Sequence, residues 1–149
     1  MTIRHNDTPK DLYDDYIAHR AYIQKAIAKD PFAEPEETIT ELLFSRKAYL
    51  ITAGGAFIIV EFLIHKITGE KSLHVRLAGG PSNQTLGVFD SIGIQVLDDL
   101  CHEYEYDFIT LVGRKGWIKY LAQYGFSIDQ DYITSSSKLV CLKRPVSTK

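Results

Sequence analysis

Between Ala48 and Ala78 the sequence reads as strand three times in succession, and this stretch most limits what the chain can fold into. Ala48 to Thr52 is rich in residues that favour extended backbone, and Gly54-Gly55 after it is a turn signal. Phe57 to Ile67 reads as one long strand, partly alternating and partly solid apolar, the pattern of a strand covered on both sides. Thr68-Gly69-Glu70-Lys71 predicts a tight turn. Ser72 to Ala78 then alternates cleanly, with Leu73, Val75 and Leu77 on one side and His74 and Arg76 on the other. Three strands on short turns form an antiparallel meander.

Helical periodicity flanks this meander. Thr2 to His5 predicts a short first strand. Thr8 then caps a helix, Pro9 suits its first position, and Asp11 sits three residues after the cap. Leu12, Tyr16, Ile23 and Ile27 recur at helical spacing, so the helix runs from Pro9 to Lys29. Pro31 and Pro35 break the chain, and a short helix follows from Glu37 to Arg46. After the meander, Gly79-Gly80-Pro81-Ser82-Asn83 leads into a helix ending near Tyr104, with Leu97, Leu100 and Cys101 among its apolar positions. Asp98-Asp99 reads as a solvated edge of that helix. Asp107 to Val112 is a strand, Gly113 to Gly116 a turn, and Trp117 to Gln123 a short helix stopped by Gly125. Phe126 to Thr134 and Lys138 to Lys143 close the chain as two strands. The order β-α-α-β-β-β-α-β-α-β-β predicts a single α/β (α+β) domain over residues 1–149, built on a mixed, mostly antiparallel sheet with helices on both faces.

Composition narrows the function classes. The chain has 149 residues, 45% hydrophobic and 24% charged, with a formal net charge of −2. Nucleic-acid and membrane-surface binding call for a basic excess, so neither is expected. Met1 to Asp7 has no apolar run, and the run Ala56 to Ile64 is interrupted by Glu61 and too short to span a bilayer. Cys101 and Cys141 have no metal spacing and read as buried, reduced thiols, which suits a cytoplasmic protein. The His and Cys residues show no zinc pattern, and no nucleophile elbow is present, so no metal site is expected.

The element order, the opening Thr2-Ile3-Arg4 with Pro9-Lys10-Asp11-Leu12, and the strand–Gly79-Gly80–helix junction resemble the GNAT (N-acetyltransferase-like) superfamily along nearly the whole chain. The segment Gly113-Arg114-Lys115-Gly116-Trp117 through Leu121 to Gly125-Phe126 is similar to GNAT-like proteins of tailed phages and prophages. The resemblance implies a splayed pair of central strands, between which the arm of an acyl-CoA can lie like an added strand. It also implies a pyrophosphate seat at the start of the following helix. The donor-side residues are then Arg76, Leu77, Ala78, Gly79, Gly80, Ser82, Asn83 and Gln84, with Arg114 nearby, and the cofactor is acetyl-CoA if one is used.

The chain departs from the family pattern at two places. Pro81 stands where the donor loop has a small residue and removes an N–H donor. Leu121 stands where active members often carry a tyrosine as general acid, with Arg114 in place of a frequent asparagine and Trp117 in place of a small residue. Tyr120 and Tyr124 flank that position and are the candidate acids, although on a helix they point away from it and could substitute only if the helix is rotated. Glu61 and His74 are the candidate bases. For Arg114 the alternative is a capping or salt-bridging role, for Trp117 a core anchor, and for His74 a half-exposed strand position.

Three functions follow. The first is a phage or prophage protein that keeps the scaffold, has lost acetylation and acts as a virion-associated or assembly component, with phage structural proteins as partners. The second is an active acetyl-CoA-dependent N-acetyltransferase on a small-molecule or protein amine. The third is a host-interaction protein using the same scaffold, because fold alone does not settle function. Residence in the host cytoplasm or the virion is expected accordingly.

Overall fold

A computed structural model describes residues 3–29, 33–53, 55–80, 94–130 and 137–146. The strands are β1 (Ile3–His5), β2 (Tyr49–Ala53), β3 (Ala56–Ile64), β4 (Lys71–Gly79), β5 (Phe108–Arg114), β6 (Ser127–Ile128) and β7 (Leu139–Pro145). The helices are α1 (Pro9–Lys29), α2 (Glu36–Phe44), α3 (Ile94–Tyr104) and α4 (Trp117–Ala122). The sheet order is β1-β2-β3-β4-β5-β7-β6. The β1–β2, β2–β3, β5–β7 and β6–β7 pairs are antiparallel, and β4–β5 is parallel. The fold is therefore α/β with a mixed, mostly antiparallel sheet.

The chain divides into two compact units, residues 1–61 with 76–93, and residues 62–75 with 94–149. In the first, α1 begins as its sequence dictates: Thr8 Oγ1 accepts the Asp11 N–H at 3.1 Å, and Leu12 N–H reaches the Thr8 carbonyl at 2.9 Å. Leu12, Tyr16 and Ile23 of α1, Ile39 and Leu43 of α2, Leu50 of β2, and Phe57 and Ile59 of β3 share one buried cluster. Ile58 and Val60, on the opposite face of β3, are buried as well. The strand is thus covered on both sides, as its solid apolar run predicts. Helix α2 stops at Phe44, two residues before the predicted end. Arg46 adopts a positive φ of 61°, and its Nη1 donates to the Asn6 carbonyl at 3.0 Å. That bond offsets part of the cost of a left-handed non-glycine residue.

In the second unit α3 and α4 both contact β5. Leu73, Leu97, Cys101, Ile109, Leu111, Leu121 and Leu142 are buried there. Strand β5 pairs along its full length with β7, from Phe108↔Pro145 to Arg114↔Leu139. Gly113 and Arg114 therefore belong to a strand, and the predicted turn shrinks to Lys115-Gly116. Gly125, with φ of 90°, ends α4, and its N–H bonds the Ala122 carbonyl at 3.0 Å.

Three further elements differ from the sequence prediction. Strand β3 ends at Ile64, because the His65 ring accepts the N–H groups of Ile67 and Thr68, each at 3.2 Å, and curls the chain into a turn. Ile67, predicted as strand, is 90% exposed. Of the strand predicted from Phe126 to Thr134, β6 covers Ser127–Ile128, and residues 131–134 lie outside the described residues. Asp98 is buried, not solvated: Arg144 meets its carboxylate at 2.5 and 3.1 Å. Cys101 and Cys141 are both buried free thiols, and burial raises their pKa values to about 12 and about 11.

Candidate functional site

The candidate donor-side strand is β4, and its alternation decides which side chains could serve. Leu73, Val75, Leu77 and Ala78 are buried, while His74 and Arg76 are part-exposed. The parallel pairing of β4 with β5 covers Ser72–Val75 against Phe108–Leu111. Both strands continue past that stretch, β4 to Gly79 and β5 to Arg114.

Arg76 is engaged by two carboxylates. Its Nη1 lies 3.0 Å from Glu61 Oε1 of β3, and its Nη2 contacts Glu34 Oε1 in the segment before α2. Burial raises the Glu61 pKa above the usual carboxylate value. Glu61 and Arg76, one expected as a base and the other as a donor contact, are thus brought together as an ion pair.

Gly79 and Gly80 have a reason to be glycine that involves no ligand. A Cβ on Gly79 would fall 2.9 Å from Phe57 Cε1, and one on Gly80 would fall 3.1 Å from the Ala56 Cα. The neighbouring strand leaves no room for a side chain at either position. Leu77 and Ala78 are buried in β4. Ser82, Asn83 and Gln84, together with Pro81, lie outside the described residues, as does the start predicted for the helix that ends at Tyr104.

In the second unit, His74 Nδ1 lies 2.8 Å from Thr110 Oγ1, its cross-strand neighbour on β5. Burial lowers the His74 pKa to about 4, so the ring is neutral at physiological pH and is a weak base. On α4, Leu121 is fully buried. The rings of Tyr120 and Tyr124 sit 5.8 Å apart and tilted by 55°, and the Tyr124 carbonyl accepts a bond from Arg144 Nε at 2.6 Å. The backbone of Arg114 pairs with Leu139, while its side chain lies outside the described residues. Trp117 lies over Gly113, where an added Cβ would stand 3.0 Å from the indole Cε3.

Sequence reading missed three partners: Glu34 for Arg76, Thr110 for His74, and Arg144 for Asp98. Each is a long-range contact, with a sequence separation of 36 from His74 to Thr110 and of 46 from Asp98 to Arg144. Among the described residues no group of three or more His, Cys, Asp or Glu side chains is placed to hold a metal ion. No described helix is long and apolar enough to cross a membrane.

No family model and no curated protein sequence matches the chain. Solved structures do match it. FeeM, an N-acyl amino acid synthase from uncultured soil microbes, aligns with a TM-score of 0.69 at 12% identity, over 97% of this chain and 90% of its own. Aminoglycoside 6′-acetyltransferase type Ii aligns with a TM-score of 0.69 at 11% identity, over 100% and 99% of the two chains. The PaiA N-acetyltransferase of Thermoplasma acidophilum, solved with coenzyme A, aligns with a TM-score of 0.58 at 12% identity, over 97% and 99%. At these identities the likeness is one of fold: the chain has the GNAT N-acetyltransferase fold.

Proposed function

We propose that this chain is a single GNAT-type domain of the phage or prophage kind that keeps the acetyltransferase scaffold and acts by binding, as a virion-associated or assembly component. One observation carries the reading: Leu121, at the place of the family's frequent general acid, is a fully buried core residue. A thiolate leaving group needs a proton donor within hydrogen-bond reach, and an alkyl side chain sealed in a core supplies none. The neutral His74 and the ion-paired Glu61 support the same reading, since neither is an unencumbered base. The Gly113–Phe126 segment supports the phage kinship through its similarity to phage proteins. The test is calorimetry with acetyl-CoA alongside turnover on an amine panel. The reading expects no acetylated product, and micromolar binding together with turnover would sink it. Co-purification with phage particles, rather than capture by a host protein, separates a virion component from a host-interaction protein.

A second reading is an active acetyl-CoA-dependent N-acyltransferase. It is favoured by the end-to-end fold match to acetyltransferases, one of them solved with coenzyme A. In that case Glu61 is the stronger candidate base, because its raised pKa brings it closer to the range useful for proton transfer. Glu61→Gln would then abolish turnover while acetyl-CoA still binds.

A further inference from the structure

The His65 ring, at the end of β3, accepts twice through one atom. Its Nδ1 takes the N–H groups of Ile67 and Thr68, each at 3.2 Å. A backbone amide only donates, so Nδ1 carries the lone pair and the ring proton sits on Nε2. The backbone of the same residue closes the base of the turn: His65 N–H reaches the Glu70 carbonyl at 2.8 Å, and the His65 carbonyl accepts the Gly69 N–H at 2.9 Å. Gly69, with φ of 73°, supplies the left-handed corner. The ring nitrogen thus does what an asparagine oxygen does in an Asx-turn, bonding backbone amides just ahead of it in the chain.

An imidazole differs from an amide in one respect: histidine changes charge between about pH 5 and 8. A proton on Nδ1 leaves no lone pair there and aims a donor at two other donors. The charged groups around the turn do not compensate. The Glu70 carboxylate is held by Lys143 Nζ of β7 at 2.5 Å. Lys66 is exposed beside the ring in sequence, and Lys71 Nζ lies over the Tyr106 ring, 5.8 Å from its centroid. Asp107 meets this segment through its backbone, its N–H on the Lys71 carbonyl at 3.0 Å. Among the described residues no carboxylate pairs with the His65 ring.

We propose that the turn between β3 and β4 is a pH-sensitive lock. With His65 neutral, Nδ1 fixes residues 66–68 and holds the side chain of Ile67, 90% exposed, out in water. A proton on Nδ1 breaks both bonds at once and frees those three residues. The base of the turn stays closed, because the bonds between His65 and Glu70 and between Gly69 and His65 run through backbone and do not use the ring. Acidification therefore changes how an apolar tip is presented without unfolding the strands that carry it.

The experiment is NMR on the full chain from pH 8 to pH 5, a window that ends above the ordinary carboxylate range. It compares wild type, His65→Asn and His65→Phe. In wild type at pH 8 the ring nitrogens show the Nε2–H tautomer. As the ring takes up its proton, the Ile67 and Thr68 amides shift with it, and their protection from exchange, corrected for intrinsic rate, falls about tenfold. The Ile58 and Leu73 amides stay unchanged and separate this from general unfolding. In His65→Asn an oxygen takes the place of Nδ1 and does not titrate, so the locked amide pattern persists at both ends of the range. His65→Phe shows the unlocked pattern at pH 8. An Nδ1–H tautomer at pH 8, amides that ignore the ring titration, or a His65→Asn turn that titrates like wild type each overturns the lock. The wild-type titration alone decides the matter where either variant fails to fold.

Discussion

Arg144 on β7 grips Asp98 on α3 with two nitrogens, at 2.5 and 3.1 Å, and spends its third on the Tyr124 carbonyl at the end of α4. Three elements of one unit thus meet on a single guanidinium. Removing one member of such a pair strands a buried charge. Asp98→Ala is expected to cost about 3–5 kcal/mol. Replacing both residues by leucine and methionine should restore much of that loss. Denaturant unfolding of the single and double variants measures both.

His74 gives the fold an acid-sensitive contribution. Its folded pKa of about 4 lies below the ordinary 6.5. Between those values the unfolded chain takes up a proton that the folded chain refuses, so stability is full above pH 6.5 and declines as pH falls toward 4. The upper bound of the loss is about 3 kcal/mol. His74→Gln should flatten this part of the profile, checked by thermal unfolding at pH 7 and pH 5.

Glu36 acts in the same direction at lower pH. Hydrogen bonds from Arg20 and then Tyr16 hold its pKa at about 2, against an ordinary 4.5. Its stabilisation is present above pH 4.5 and is lost as pH falls through 2. The site is open to water, which screens the interaction, so Glu36→Gln should cost only about 1 kcal/mol at pH 7 and nothing measurable near pH 2. Chemical denaturation at the two pH values tests the sign.

Gly80→Ala separates packing from ligand approach. Its new Cβ would meet the Ala56 backbone at 3.1 Å, and backbone yields less readily than a side chain. A loss of about 1–3 kcal/mol is expected with no ligand present. An unchanged melting temperature would return the glycine to a ligand-binding role.

Much of the scaffold was legible because its signals are local. Thr8 and Pro9 placed the start of α1, Gly125 placed the end of α4, and the alternation through Leu73, Val75 and Leu77 placed the faces of β4. The misplaced boundaries share one cause, a side chain or partner strand acting on backbone at a distance the local pattern does not record. His65 folds its ring back onto the next turn, and β7 pairs as far as Arg114 and so extends β5 past Val112. Candidate-site residues were legible as types and not as partnerships. Arg76, Glu61 and His74 stood out by charge and position, but the carboxylates around Arg76 and the hydroxyl beside His74 come from elsewhere in the chain. Asp98 was misread for the same reason, since its cation lies 46 residues away.

The indole of Trp117 rests where a side chain on Gly113 would have to go. Neither position can drift alone. A larger residue at 113 would have to push the ring aside, and a smaller residue at 117 uncovers the strand beneath it. Among proteins that carry this segment, the two sites should change together or not at all. Glycine at 113 and tryptophan at 117 therefore act as one packing unit.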